Sequence, residues 1–302
     1  MLDRETFREM IIEEFHNQLP MGYSLEVKES IKGNDTKMTG INIMKEGCSG
    51  GCVVYAENLY EAYRNGSTVE EITKNTLSEV LDSDIYSFNG NSFTKEDILA
   101  HSSYRMANKY TNQLRLADVP TRDVPGMTDI VIYPVYEVNL IGHNGNILLT
   151  KSMLEANDIS VEEIHVAAEA NTERRMAIVP LEERLSGLLE GCDAPVDLGS
   201  PFLVSCDRES LGGDEASVLG APKVLASLKQ SMYVIPSSTH ELLFLPKDME
   251  ADPAKLMRLV GEVNASMLRP EEVLSNNVYE INGGRFITYE AGMAAGKSMV
   301  ME

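Results

Sequence analysis

Apolar residues recur along this chain at helical spacing in some stretches and at every second position in others. The switches between the two patterns predict the elements. Residues 3–19 carry Phe7, Met10, Ile11, Phe15 and Leu19 at helical spacing with charges between them, and Pro20 ends that amphipathic helix. Tyr23 to Lys32 alternates through Leu25, Val27 and Ile31, Gly33-Asn34-Asp35 turns the chain, and Met38 to Met44 returns as the second strand of a hairpin. Gly47 to Gly51 reads as a small-residue loop leading into a helix with Leu59, Tyr60 and Tyr63, which Gly66 stops. Thr68 with Glu71 forms a capping box for the next helix, whose stripe is Val69, Ile72, Thr76, Leu77 and Val80. Thr94 with Asp97 marks a further helix start.

Residues 117–127 contain two Val-Pro pairs, and the residue before each Pro is driven extended. A domain boundary is therefore placed here, giving residues 1–118 and 119–302, with a further subdivision in the loop 190–201. Asp129 to Leu140 reads as a strand in which Pro134 implies an edge or a bulge. His143-Asn144-Gly145 reads as an Asn-Gly turn, Asn146 to Thr150 as the return strand, and a helix starts near Lys151. Ser160 with Glu163 caps a helix running from Val161 to near Arg174. Phe202–Ser205 and Ala216–Leu219 read as a hairpin, followed by a helix over Pro222–Gln230. A hairpin followed by a helix thus occurs around 129–156 and again around 202–229, which suggests two similar units. Asp252-Pro253 opens another helix. Val278–Ile281 and Arg285–Tyr289 flank Gly283-Gly284 as a last hairpin, and the tail from residue 291 reads as frayed. The most apolar stretch is Met232 to Pro246, MYVIPSSTHELLFLP, which predicts two buried strands around a short polar loop. The fold class is α+β, with antiparallel hairpins and sheets backed by amphipathic helices.

Charge narrows the functional classes. The 302 residues carry 26 Lys and Arg against 47 Asp and Glu, a formal net charge of −21. Such a surface repels phosphate backbones and anionic lipids, so direct nucleic-acid or membrane binding is not expected. The carboxylates are spread over several helices, as suits solubility; an acidic face that imitates nucleic acid is the sharper alternative. The N-terminal stretch alternates charged with apolar residues, unlike a signal peptide, and no apolar run approaches the roughly 18 residues that cross a bilayer. Cys48, Cys52, Cys192 and Cys206 are few for this length and read as reduced thiols of a cytoplasmic protein.

Several tempting motifs fail on their own chemistry. Ala295-Gly296-Lys297-Ser298 ends like a phosphate-binding loop, but position 291 is Ala where the motif needs Gly. Ser92-Phe93-Thr94-Lys95 has the acyl-serine spacing without its companion elements. A calcium loop counted from Asp82 meets Ser87 and Phe93 where Gly and Glu are required. Cys48 and Cys52 lack two further nearby ligands for zinc. Of the five histidines, no two are three or four residues apart, so no metal is expected. His240 stands out, because it shares its loop with Ser237, Ser238, Thr239 and Glu241. There it could act as a base toward a hydroxyl. The blander reading is that the hydroxyls satisfy loop backbone N–H groups.

The run from Tyr233 to Pro246, with Val263-Asn264 and Pro270-Glu271-Glu272-Val273-Leu274-Ser275 after it, resembles the bacterial family called Domain of Unknown Function 5688. Met38–Ile41, Tyr55–Tyr60, Ser160–Ile164 and Asn171-Thr172 are similar to further parts of that family's pattern. The resemblance covers about residues 5–290 and implies no chemistry. The reading is a non-enzymatic cytoplasmic protein that binds a protein or a small molecule, without a cofactor. Its expected contact residues are Ser237, Ser238, Thr239, His240, His143 and Asn144. The main alternative is a hydrolase or transferase using His240 with Glu241 and a nearby hydroxyl such as that of Ser237.

Overall fold

A computed structural model of the chain describes residues 2–48, 51–81, 94–140, 143–188, 202–207, 215–236, 238–247 and 251–290. The calcium-type loop counted from Asp82, Ser92, Cys192, the loop 190–201 with its subdivision, Ser237 and the tail from residue 291 lie outside the described residues. The chain forms two compact units. One comprises Met1–Lys32, Thr36–Thr94 and Val138–Gly145; the other comprises Gly33–Asp35, Lys95–Glu137 and Asn146–Glu302. Residues 117–127, where the Val-Pro pairs placed a boundary, lie inside the second unit, with Val119, Val124 and Met127 buried.

The first unit is built from α1 (Arg4–Gln18), β1 (Tyr23–Ile31), β2 (Lys37–Lys45), β3 (Gly51–Tyr55), α2 (Ala56–Arg64) and α3 (Val69–Leu81). The strands form an antiparallel sheet in the order β1-β2-β3. Its pairing sets Leu25, Ile43 and Cys52 in one row and Val27, Ile41 and Val54 in the next. Phe7, Ile11 and Phe15 of α1 and Ile72, Leu77 and Val80 of α3 pack in one core with Ile41 and Ile43. The helix starts follow the sequence: Asp3 accepts the Thr6 N–H, and Thr68 and Glu71 exchange both capping-box bonds. The residues just before α2, read above as loop and helix lead-in, instead form β3. Five residues starting at a glycine are too short for their alternation to register.

The remaining elements are α4 (Lys95–Ala100), β4 (Ser102–Asn108), β5 (Arg122–Asp123), β6 (Ile130–Leu140), β7 (His143–Leu148), α5 (Lys151–Ala156), α6 (Val161–Arg175), β8 (Met176–Pro180) and α7 (Leu181–Leu188). They continue with β9 (Leu203–Asp207), α8 (Pro222–Ala226), β10 (Met232–Pro236), β11 (Leu242–Pro246), α9 (Pro253–Met267), β12 (Val278–Asn282) and β13 (Arg285–Tyr289). A six-stranded sheet runs β13-β12-β10-β11-β9-β8, antiparallel throughout, so the apolar hairpin lies at its centre. Met232, Val234, Leu242 and Phe244 face one core with Ala216, Val218, Leu225, Tyr279 and Ile281. Tyr233 and Leu245 face the other way, against Val260, Leu256 and Met257 of α9. Burial on both sides explains why these two strands read as continuous apolar runs rather than as alternation.

Three expectations are corrected. Residues 215–220 are a buried 3-10 helix, not the second strand of a hairpin, so the repeated hairpin-helix unit does not exist. A short run buried on every side has no period to distinguish the two, and Gly220 packs so closely that an added Cβ would lie 2.4 Å from the Tyr104 ring. His143-Asn144-Gly145 is the start of β7, not a turn. Pro134 is not on an edge: β6 is flanked by β4 on one side and paired with β5 and β7 as well. It lies beyond the two residues, Val131 and Ile132, with which β5 pairs.

Candidate functional site at the tip of the central hairpin

Strands β10 and β11 end on the polar loop that the sequence singles out. Ser238 is 5% exposed, and its hydroxyl accepts the backbone N–H of His240 at 3.0 Å. The Thr239 N–H donates to the Glu272 carbonyl at 3.0 Å, and the His240 carbonyl accepts the Glu215 N–H at 2.9 Å. The loop is therefore fixed from two sides, by the turn 270–272 and by the start of the buried 3-10 helix. That turn is itself held within the second unit by Asn34, whose side-chain amide donates to the Pro270 and Val273 carbonyls at 2.6 and 2.7 Å. Where the loop joins β11, the buried Ser205 hydroxyl accepts the Leu242 N–H at 2.8 Å.

The His240 ring is half exposed, with 51% of its side chain accessible, and its Nε2 lies 3.5 Å from Glu272 Oε1. The same carboxylate oxygen accepts Arg269 Nε–H at 3.0 Å. Burial works to raise the Glu272 carboxyl, but the Arg269 hydrogen bonds and charge, with His240, hold it below the usual range. Deeper in, Arg184 donates to Glu215 at 2.6 Å with both side chains nearly buried. Burial, with Glu241 and Asp207 nearby, pushes the Glu215 carboxyl up to about 7, against the pull of Arg184 and His240. The neighbouring Cys206 thiol is likewise pushed up by burial, which keeps it protonated and poorly nucleophilic. Asp207 pairs with Arg175, Arg175 with Glu137, and Glu137 with Arg105 and the Ser103 hydroxyl, a ladder of alternating charge.

Among the residues expected at the site, the structure brings Ser238, Thr239, His240 and Glu241 together. Ser237 and the side chains of His143 and Asn144 lie outside the described residues. The sequence reading missed Glu272, Arg269, Glu215 and Arg184. Arg269 and Glu272 carried a usable signal, an i,i+3 pair flanking Pro270; Glu215 and Arg184 meet only through the fold. The Ser238 hydroxyl is bound by the His240 backbone rather than by its ring, so it is not placed as a nucleophile for that base. Among the described residues no group of three His, Cys, Asp or Glu side chains is placed to hold a metal ion.

Two other buried polar groups serve the architecture. Asp129 accepts Ser275 Oγ and Tyr279 Oη at 2.6 Å each and Asn108 Nδ2 at 3.0 Å. Tyr104 Oη lies 2.9 Å from His165 Nδ1 and 3.0 Å from the His165 carbonyl. The other ring nitrogen, His165 Nε2, is buried and has no hydrogen-bond partner among the described residues. Burial, with the charge of Arg122 adding to it, pushes His165 down to about 4.

Residues 4–282 match the model of a family described as "Family of unknown function (DUF5688)". No match is found among curated proteins or among solved structures.

Proposed function

The chain belongs to this family of unknown function, and from that premise we propose that it is a cytoplasmic binding protein rather than an enzyme. Its contact surface on this reading is Thr239, His240 and Glu241 with Glu272 and Arg269 behind them. One observation carries the reading: the Ser238 hydroxyl is committed to the loop backbone while the His240 ring stands half exposed beside a carboxylate. An exposed imidazole, an acid and a guanidinium on backbone held in place at Thr239 and His240 offer directional contacts to a polar ligand at little ordering cost. No helix among the described residues is long and apolar enough to cross a membrane. The acidic-mimic alternative draws less support, since carboxylates such as Glu26, Glu29, Glu61 and Glu162 are paired with Lys or Arg.

Ligand-observed NMR with a mixture of small polar metabolites tests the proposal on the wild type and on the double variant Thr239→Ala/His240→Ala. Ligands whose saturation-transfer signal disappears in the variant support the site. An unchanged ligand set in the variant overturns it. Turnover of activated esters that is abolished by His240→Ala would replace the binding reading with the hydrolase one.

A further inference from the structure

A second site, independent of the hairpin loop, lies in the first unit. A cavity of about 330 Å³ opens among the first two turns of α1, the start of β2 and the first two turns of α2. Arg4, Arg8 and Lys37 converge on it, with Glu5 and Glu57 as its acids and Phe7, Ala56 and Tyr60 as its apolar wall. Three cations against two carboxylates is a local reversal of sign in a chain whose net charge is −21. The acids are partly committed. Both Glu57 carboxylate oxygens accept the Thr39 N–H at 3.0 Å, and Glu5 reaches Arg8 only at 3.4 Å. Lys37 pairs with Glu29 at 2.9 Å, but both side chains are well exposed, and such a pair is held weakly. Arg4 makes no ion pair with any described carboxylate, and its guanidinium lies 5.8 Å over the Tyr60 ring.

The wall is rigid. The Phe7 and Tyr60 rings meet edge to face with centroids 5.2 Å apart, and Tyr60 Oη donates to the Leu2 carbonyl at 3.0 Å. Arg4 and Arg8, one helical turn apart, share one side of α1. A guanidinium with unused donors beside an aromatic face fits an oxyanion on a small apolar body, because the fork binds two oxygens at once. The size suits a small molecule and not a polymer, and a polyanion would be repelled by the rest of the surface.

We propose that this cavity binds a small organic oxyanion, a carboxylate or a phosphate monoester, with Arg4, Arg8 and Lys37 holding the charged end and Tyr60 packing against the body. Calorimetric titration of the full chain with inorganic phosphate, phenyl phosphate and benzoate tests it. The expected result is saturable binding of phenyl phosphate or benzoate, weakened at least ~10-fold by Arg4→Gln and by Lys37→Gln through loss of a charge-assisted contact. Arg64→Gln, at the opposite end of α2, should leave it unchanged. Benzoate binding alone assigns a carboxylate, phenyl phosphate alone a phosphate ester. Binding of inorganic phosphate as tight as that of phenyl phosphate would overturn the role of Tyr60. No saturable binding of any probe, or equal binding by Arg4→Gln and wild type, would overturn the site. Thermal melts of the variants, all at exposed positions, separate lost binding from lost folding.

Discussion

Gly126 shows how much one residue can decide. It sits at φ +85°, a backbone region that side chains rarely adopt, and an added Cβ would lie 2.0 Å from the Phe286 carbonyl oxygen. The clash is with backbone of β13, which is itself tied to this turn: Thr288 Oγ1 donates to the Gly126 carbonyl at 2.8 Å. Nothing there can give way without shifting a strand. Gly66 has a similar strain, at φ +106°, but open space around it. The pair separates conformational strain from collision. Gly66→Ala should cost about 1 kcal/mol, and Gly126→Ala at least ~3 kcal/mol, read from urea midpoints at unchanged slope. Equal costs at the two positions would mean that the approach to Phe286 is not tight.

At the scale of elements, the second unit turns on the link between the start of β6 and the segment that leads into β12. Asp129, just before β6, gathers the hydroxyls of Ser275 and Tyr279 and the amide of Asn108. Asp129→Ala takes the shared acceptor from two buried hydroxyls and the half-buried Asn108 amide and should cost about 3–5 kcal/mol; Ser275→Ala, which removes one of those donors and the acceptor of the Asn277 N–H, about 1–2 kcal/mol. Since Thr239 and His240 rest on the turn 270–272, hydrogen exchange at Thr239 should speed up in Asp129→Ala before it does in distant β8. Unchanged exchange at Thr239 would show that the turn holds the loop without help from Asp129. The central hairpin was legible because both its faces are buried and its sequence is a plain apolar run. Strand β4 was not, because its buried residues include Ser102 and Ser103, which satisfy themselves on the Leu99 carbonyl and Glu137. The 3-10 helix at 215–220 looked like a strand for want of any period. The loop Ser238–Glu241 was readable as a polar interruption. Its partners Glu272 and Glu215 were not, since their approach depends on how the turn and the 3-10 helix are placed.

On the scale of the whole molecule, two buried titratable groups pull the stability in opposite directions with pH. Glu215 is raised in the fold from 4.5 to about 7. An acid raised by folding favours the folded state most below its unfolded value, and that contribution is lost as pH climbs from 4.5 to 7. His165 is lowered from 6.5 to about 4. A base lowered by folding favours the folded state above its unfolded value, and that contribution is lost as pH falls from 6.5 to 4. Going from pH 7 to pH 5, the first effect adds about 2 kcal/mol of stability and the second removes about 2 kcal/mol. They nearly cancel, so the wild type hides both. Single variants should expose them as opposite slopes relative to wild type. Glu215→Gln should lose about 2 kcal/mol against wild type on acidification from pH 7 to 5, and His165→Gln should gain about 2 kcal/mol over the same span. Differences against wild type remove the common background of surface carboxylates, whose mutual repulsion also eases as pH falls. Urea denaturation at pH 7, 6 and 5 gives the slopes directly. Parallel profiles for Glu215→Gln and wild type would mean that Arg184, 2.6 Å away, keeps the acid ionised throughout, and that the polar ground beneath the His240 loop carries fixed charge at every pH tested.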